Sequence, residues 1–166
     1  MENLVFFDLE TTGFRNTDEI LSIGMVNQNG EILLDTLIRP IRKTEWKEAE
    51  AINHITPKMV KSAPSMEEIQ PELNRILQEA DMLIAYGINF DYRFLVHWLY
   101  EETRKNLKRE CCLEAARNAY PGMSHKLSEM MNVLNLEWTG TAHSALPDAE
   151  ACRKVWNALK KEEKHE

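Results

Sequence analysis

The sequence predicts an α/β protein whose mixed five-stranded sheet has three antiparallel strands, further parallel strands and flanking helices. Three observations carry this expectation. Strand-like segments crowd the chain up to Ile38, with the hairpin signal Asn29-Gly30 between two of them. Helical patterning then takes over from Trp46, and the short apolar run Met82 to Tyr86 interrupts it with another strand.

Leu4-Val5-Phe6-Phe7 reads as a central strand buried on both faces, running into Asp8-Leu9-Glu10 and the turn-prone Thr11-Thr12-Gly13. Period-two alternation places Asp8 and Glu10 on one side of it. Glu19 to Asn27 and Glu31 to Ile38 complete three adjacent antiparallel strands. An amphipathic piece from Trp46 to Ile52 follows, then a break at Thr56-Pro57. Ser65 and Glu68 have capping-box spacing for a helix from Met66 to Glu79. Pro71 falls inside that pattern, so the helix either kinks there or starts near Gln70.

Asn89 is expected to N-cap a helix whose apolar stripe is Phe90, Phe94, Leu95, Trp98 and Leu99, with Asp91 in its first turn. A fifth short strand is expected around Cys111-Cys112-Leu113. Helices near Glu114 to Tyr120 and Lys126 to Leu134 are divided by Pro121-Gly122. The last helix spans Ala145 to Lys161, with Ser144 as cap and Pro147 in the first turn, where a missing N–H costs nothing. Lys160 to Glu166 reads as a frayed, mixed-charge end.

With 166 residues the chain is expected to be one domain, burying about 70% of its unfolded surface. Its three cysteines, Cys111, Cys112 and Cys152, suggest neither a disulfide framework nor a zinc site, and a reduced, cytoplasmic compartment is expected. No export, anchoring or membrane-spanning segment is visible. The net charge of −7 argues against broad attraction to duplex nucleic acid, yet acids gathered around divalent metals would cancel part of it locally.

Asp8, Glu10, Asp91 and Asp148 are each placed at a strand end or helix start, with His143 five residues before Asp148. An acid in a first helical turn is favoured by the helix dipole, and this alone would account for Asp91 or Asp148. Asp8 and Glu10 are harder to explain that way, because acids directly after Val5-Phe6-Phe7 lie at the core edge, where desolvation is costly unless a cation is present. Imidazole, titrating at about pH 6.5 in water, suits a general base near neutrality.

These segments resemble the DEDDh, DnaQ-like 3′-to-5′ exonucleases, the group of the bacterial polymerase proofreading subunit and ribonuclease T. Phe6 to Gly13 looks like the first family motif and Glu19 to Gly24 like its following strand. Asn89 to Leu95 looks like the second motif, and His143 to Ala149 like the third. The resemblance implies a ribonuclease H-like fold and metal-dependent release of nucleoside 5′-monophosphates. It also implies that Asp8, Glu10, Asp91 and Asp148 hold two Mg²⁺ or Mn²⁺ ions, Asp8 bridging them, while His143 takes the proton of the attacking water. A tyrosine four residues before the last acid marks another subgroup, and Ser144 stands there.

Two segments depart from the family pattern: Tyr86-Gly87 replaces a frequent His-Asn, and Asn53-His54-Ile55-Thr56 a common His-Gly-Ile-Thr. Both bear on substrate positioning. Thr11, Thr12, Phe14, Asn89 and Phe90 are the candidate substrate contacts, Phe14 by stacking on a terminal base. His54 and Trp46 are weaker candidates beside ordinary structural roles. Arg104, Lys105, Lys108 and Arg109 form the densest basic cluster, which a helix C-terminus would also favour. Three functional readings follow: an exonuclease acting alone on single-stranded 3′ ends, DNA favoured, with a part in DNA repair; an RNA 3′-end trimming enzyme; or a proofreading subunit working within a polymerase complex.

Overall fold

The computed structural model describes residues 1–164. Its sheet has the order β3-β2-β1-β4-β5, formed by β1 (Leu4–Thr11), β2 (Ile20–Asn27), β3 (Ile32–Leu37), β4 (Met82–Ala85) and β5 (Lys108–Cys111). β1, β2 and β3 are antiparallel neighbours, whereas β4 pairs parallel to β1 and β5 parallel to β4. The mixed sheet expected from the sequence is therefore present, with the hairpin between β2 and β3 where Asn29-Gly30 marks it.

Alternation along β1 splits the core in two. Val5, Phe7 and Leu9 pack against α3 (Met66–Gln78) and α4 (Ile88–Leu95). Phe6 faces the other way, with Val26 and Ile84, against α6 (Cys112–Ala119), α7 (Leu127–Val133) and α8 (Ala145–Glu163). A smaller cluster of Leu21, Trp46, Ile55 and Val60 lies under α1 (Lys47–Asn53) and α2 (Pro57–Val60). No described helix is long and apolar enough to cross a membrane.

The start of α3 decides between the two alternatives the sequence left open, and several other boundaries differ from expectation, each for a local reason. α3 starts at Met66 and carries Pro71 inside it, because the reciprocal Ser65–Glu68 capping box fixes the start five residues upstream of the proline. α4 begins at Ile88, not after Asn89: Gly87, at φ +80°, takes the left-handed conformation and is itself the N-cap. β5 lies earlier than expected, at Lys108–Cys111, and Cys112-Leu113 already belong to α6. Between β4 and β5 an unforeseen helix, α5 (Glu101–Asn106), carries Arg104 and Lys105 in its last turn. Lys108 and Arg109 are strand residues, so the basic cluster is not one helix end. Ser144 holds the N-cap position of α8 without a side-chain bond. That helix reaches Glu163; His165 and Glu166, within the mixed-charge end expected at Lys160 to Glu166, lie outside the described residues.

One glycine decides how closely α8 approaches the sheet. Gly24 of β2 is the cross-strand partner of Asp8, and a Cβ there would come 2.4 Å from the backbone nitrogen of Leu146 and 2.6 Å from the carbonyl carbon of Ala145. The first turn of α8 thus rests on bare backbone beside Asp8. Gly24→Ala should push that turn away, cost about 1 to 3 kcal/mol in urea denaturation as overpacked sites do, and depress activity beyond that loss. Unchanged stability would show that the close approach constrains nothing.

Candidate active site

β4 runs parallel to β1 and ends beside Phe7, which brings the segment that follows β4 to the part of β1 that bears Asp8 and Glu10. Asp8 and Glu10 share the face of β1 turned toward α8. Gly87 folds the chain after β4 back so that Asp91 enters in the first turn of α4, only 4% exposed. Asp148 enters from the first turn of α8. Carboxylate oxygens of Asp8, Glu10 and Asp148 lie within 4.8 Å of one another, a spacing that can hold a metal ion. Asp91 lies outside this tight trio but is the strongest charged neighbour acting on Asp8.

So many acids in one poorly hydrated place hold on to their protons. Burial pushes Asp8 well above the carboxylate range, and repulsion from Asp91, Glu10 and Asp148 adds to it. Burial, then Asp148 and Asp91, pushes Glu10 up to about 8. Asp91 rises to about 8, burial outweighing the Leu9 amide that favours its charged form. Asp148 rises less, to about 6, because the His143 amide and imidazole oppose its burial. Among the described residues, Asp8 Oδ2 is the buried side-chain oxygen or nitrogen that lacks a hydrogen-bond partner. Buried oxygens rarely stay orphaned, and hard divalent cations take oxygen ligands, so this donor set fits Mg²⁺ or Mn²⁺.

His143 sits in the loop ahead of α8, exposed, at φ +62°. Its backbone N–H donates to Asp148 Oδ1 at 3.1 Å, which ties the candidate base to the candidate ligand.

On the β1 side, the Thr11 and Thr12 hydroxyls are already engaged. Thr11 Oγ1 donates to the Gly13 carbonyl, and Thr12 Oγ1 donates to Asp18 Oδ1 at 2.8 Å while accepting from the Glu19 N–H at 2.9 Å. They shape a loop that presents Phe14, 72% exposed, edge-on to Phe90 at 5.7 Å between ring centroids. Asn89, immediately before Phe90 in the first turn of α4, is exposed. Arg93, which lies within the second motif segment but is not among the candidate contacts read from the sequence, completes this wall. Its Nη2 donates to the Phe14 carbonyl at 2.6 Å and its guanidinium lies 5.1 and 5.0 Å from the Phe90 and Phe94 rings.

The weaker candidates separate. Trp46 is buried, its Nε1 donating to the Ile55 carbonyl at 2.7 Å, and serves the small core cluster. His54 is exposed at φ +59° at the end of α1, and Asn53 beside it donates to the Thr11 carbonyl at 3.2 Å, tying that turn to the end of β1. In the basic cluster, Lys105 pairs with Glu101 and Arg109 stacks over Tyr92 at 3.9 Å, so both serve the fold.

The sheet order is that of a ribonuclease H-like fold, and the family match makes the domain an exonuclease. Residues 5–156 match the RNase T family of exonucleases, and the chain belongs to that DnaQ-like, DEDDh family. It is 34% identical over 158 residues to the PolC-type DNA polymerase III of Thermotoga maritima, covering 92% of this chain but 11% of the polymerase. It is 29% identical over 175 residues to the uncharacterized exonuclease CP81 of Escherichia phage 186, covering 96% of this chain and 89% of that one. The solved structure of exonuclease X in complex with 5′ overhanging duplex DNA has a TM-score of 0.77 at 23% identity, over 98% of this chain and 92% of that one.

The raised carboxyls link stability to pH. The native state binds these protons more tightly than the unfolded chain between about pH 4 and the raised values near 8. Stability of the metal-free protein must then fall as pH rises through that window. Thermal melts in chelator should drop between pH 5 and 8 by the equivalent of a few kcal/mol, and Mn²⁺ should restore more at pH 8 than at pH 5. Asp8→Asn should melt several degrees higher than the parent in chelator at pH 7.5 and respond less to Mn²⁺. A flat profile, or no gain from Asp8→Asn, would mean the acids are not held in a mutually repelling pocket.

Proposed function

We propose that the 166-residue chain is a single metal-dependent 3′-to-5′ exonuclease domain that releases nucleoside 5′-monophosphates from single-stranded nucleic-acid ends, DNA favoured. One observation carries this reading: three carboxylates from β1 and α8 within 4.8 Å of one another, around a buried Asp8 oxygen with no partner. Asp8, Glu10, Asp91 and Asp148 would hold two Mg²⁺ or Mn²⁺ ions. Such ions, when bound, lower the pKa of a water and stabilise the departing oxygen of a phosphodiester.

The remaining work belongs to the chain's own groups. His143, exposed and fixed to Asp148 through its amide, takes the proton of the attacking water. Phe14, braced on Phe90 and held by Arg93, stacks on the terminal base, which is sequence-tolerant and contributes roughly 1 to 3 kcal/mol. Thr11 and Thr12 hold the loop that carries Phe14, and Asn89 lies in the helical turn that bears Phe90 and Asp91. DNA is favoured because the similarity to a DNA polymerase supports it.

That similarity also favours a second reading, a proofreading nuclease working with a polymerase. The first reading is supported by the uncharacterized phage exonuclease, 89% of which is covered, because there a similar domain stands outside a polymerase chain. Purified protein with a 3′-labelled oligonucleotide separates the two: mononucleotide release without any partner supports the first, and activity only with a co-purifying polymerase supports the second. Release should need Mg²⁺ or Mn²⁺, stop with chelator and vanish in Asp8→Ala. His143→Ala should slow turnover by about two to four orders of magnitude while the Mn²⁺-induced rise in melting temperature persists. Matched DNA and RNA strands rank the sugar preference. Full activity in either variant would remove the assignment, and equal cleavage of strands with blocked 3′ ends would remove its direction.

A further inference from the structure

Beside the acid cluster, on the His143 side, lies an open groove of about 770 Å³ that shares His143 and Asp148 with it. That volume is ample for at least one nucleotide. None of Thr12, Phe14 or Phe90 lines it, so it is separate from the aromatic wall proposed for the terminal base. Arg117 and Lys126 are its arginine and lysine cations, Trp138 and Tyr86 its large aromatics, and Asp148 its acid.

Both walls are pinned by bonds that ordinary packing does not require. On one side the Tyr86 hydroxyl donates to the His125 carbonyl, and His125 Nε2 bonds the Tyr120 carbonyl at 2.6 Å, fixing the segment that ends in Lys126. On the other, Lys154 Nζ donates to the Glu137 carbonyl at 2.6 Å and to Thr139 Oγ1 at 2.8 Å, bracketing Trp138. Trp138 packs part of its surface on the core beside α8 and lines the groove with the rest. Lys126 is exposed at the start of α7 and makes no ion pair among the described residues, and Arg117 pairs with Glu114 three residues back on an exposed face.

We infer that this groove is the track for the strand on the 5′ side of the scissile phosphate, with Lys126 and Arg117 on phosphodiesters and Trp138 stacking on a base. The inference rests on the exonuclease reading and deepens it. A cationic, aromatic channel leading from the acids places phosphate attraction directly beside them, and stacking on Trp138 is indifferent to sequence. It also explains how substrates longer than a dinucleotide would gain affinity without touching the metal ligands.

The test compares KM for dithymidylate and for an oligothymidylate of about twelve nucleotides, in Mn²⁺ across a KCl series. Lys126→Ala and Arg117→Ala should each raise KM for the long strand several-fold more than for the dinucleotide. Each should also flatten the dependence of log KM on log[KCl] by about 0.7, the contribution of one phosphate contact on a single strand. Trp138→Ala should raise the long-strand KM by roughly 5- to 100-fold with the salt slope kept, and Trp138→Phe, which retains a ring and the core contact, should recover most of it. Circular dichroism melts verify that each variant is folded, and the two surface cations test the groove even if Trp138→Ala is not. Equal changes for both substrates, or unaltered long-strand KM and salt slope in folded variants of an active enzyme, would overturn the track. A wild-type protein releasing nucleotide from neither substrate would overturn the parent reading, and the track with it.

Discussion

The repulsion among Asp8, Glu10, Asp91 and Asp148 is the constraint around which the rest of the structure is arranged. Placing several carboxylates in a poorly hydrated pocket is among the most expensive things a fold can do. The chain tolerates it by anchoring every acid in backbone that cannot easily move. Asp8 and Glu10 belong to the strand buried on both faces; Asp91 and Asp148 sit in first helical turns, where the helix dipole offsets a little of the cost. Their raised pKa values record the cost that remains. Relieving it with a divalent cation makes metal affinity and folding stability two readings of one free energy.

Two glycines translate that demand into chain geometry. Gly24 lets α8 descend onto the sheet beside Asp8, and Gly87 turns the chain after β4 so that α4 starts early enough to aim Asp91 inward. Neither carries chemistry. A side chain at Gly24 would lift Asp148 from its partners, and one at Gly87 would strain a left-handed residue. The non-glycine residue His143, at φ +62°, shows the converse: the loop accepts an unfavourable conformation and in return brings the imidazole to the end of α8, with its amide on Asp148.

What the sequence disclosed follows from the range of the forces involved. Alternation from Val5 to Glu10 revealed that Asp8 and Glu10 share a face, Asn29-Gly30 marked the hairpin, and Ser65 with Glu68 marked the start of α3; these are local patterns. Asn89 looks like the N-cap of α4 because a side-chain cap is legible in sequence, and the left-handed glycine two residues earlier that takes the position is not. β5 was set late because Cys111-Cys112-Leu113 is apolar, whereas this short edge strand is built from Lys108, Arg109 and Glu110 and held by pairing with β4. The roles of Gly24, Arg93 and Trp138 are tertiary: each exists only because residues far along the chain come to lie against it.

Net charge, a property of composition, is the least informative guide to what this surface binds. The acids that make the total negative include four drawn into one pocket, where cations would neutralise them. Phe14 and Arg93 lie on one flank of that pocket, and Lys126, Arg117 and Trp138 line the groove beside His143. On the proposed reading, a strand arriving with a free end meets aromatic faces and positive charge on both sides of the acids. Under that proposal a strand end threaded past the acids would meet both sets of groups in turn, whereas a chain without an end would have to lie across them.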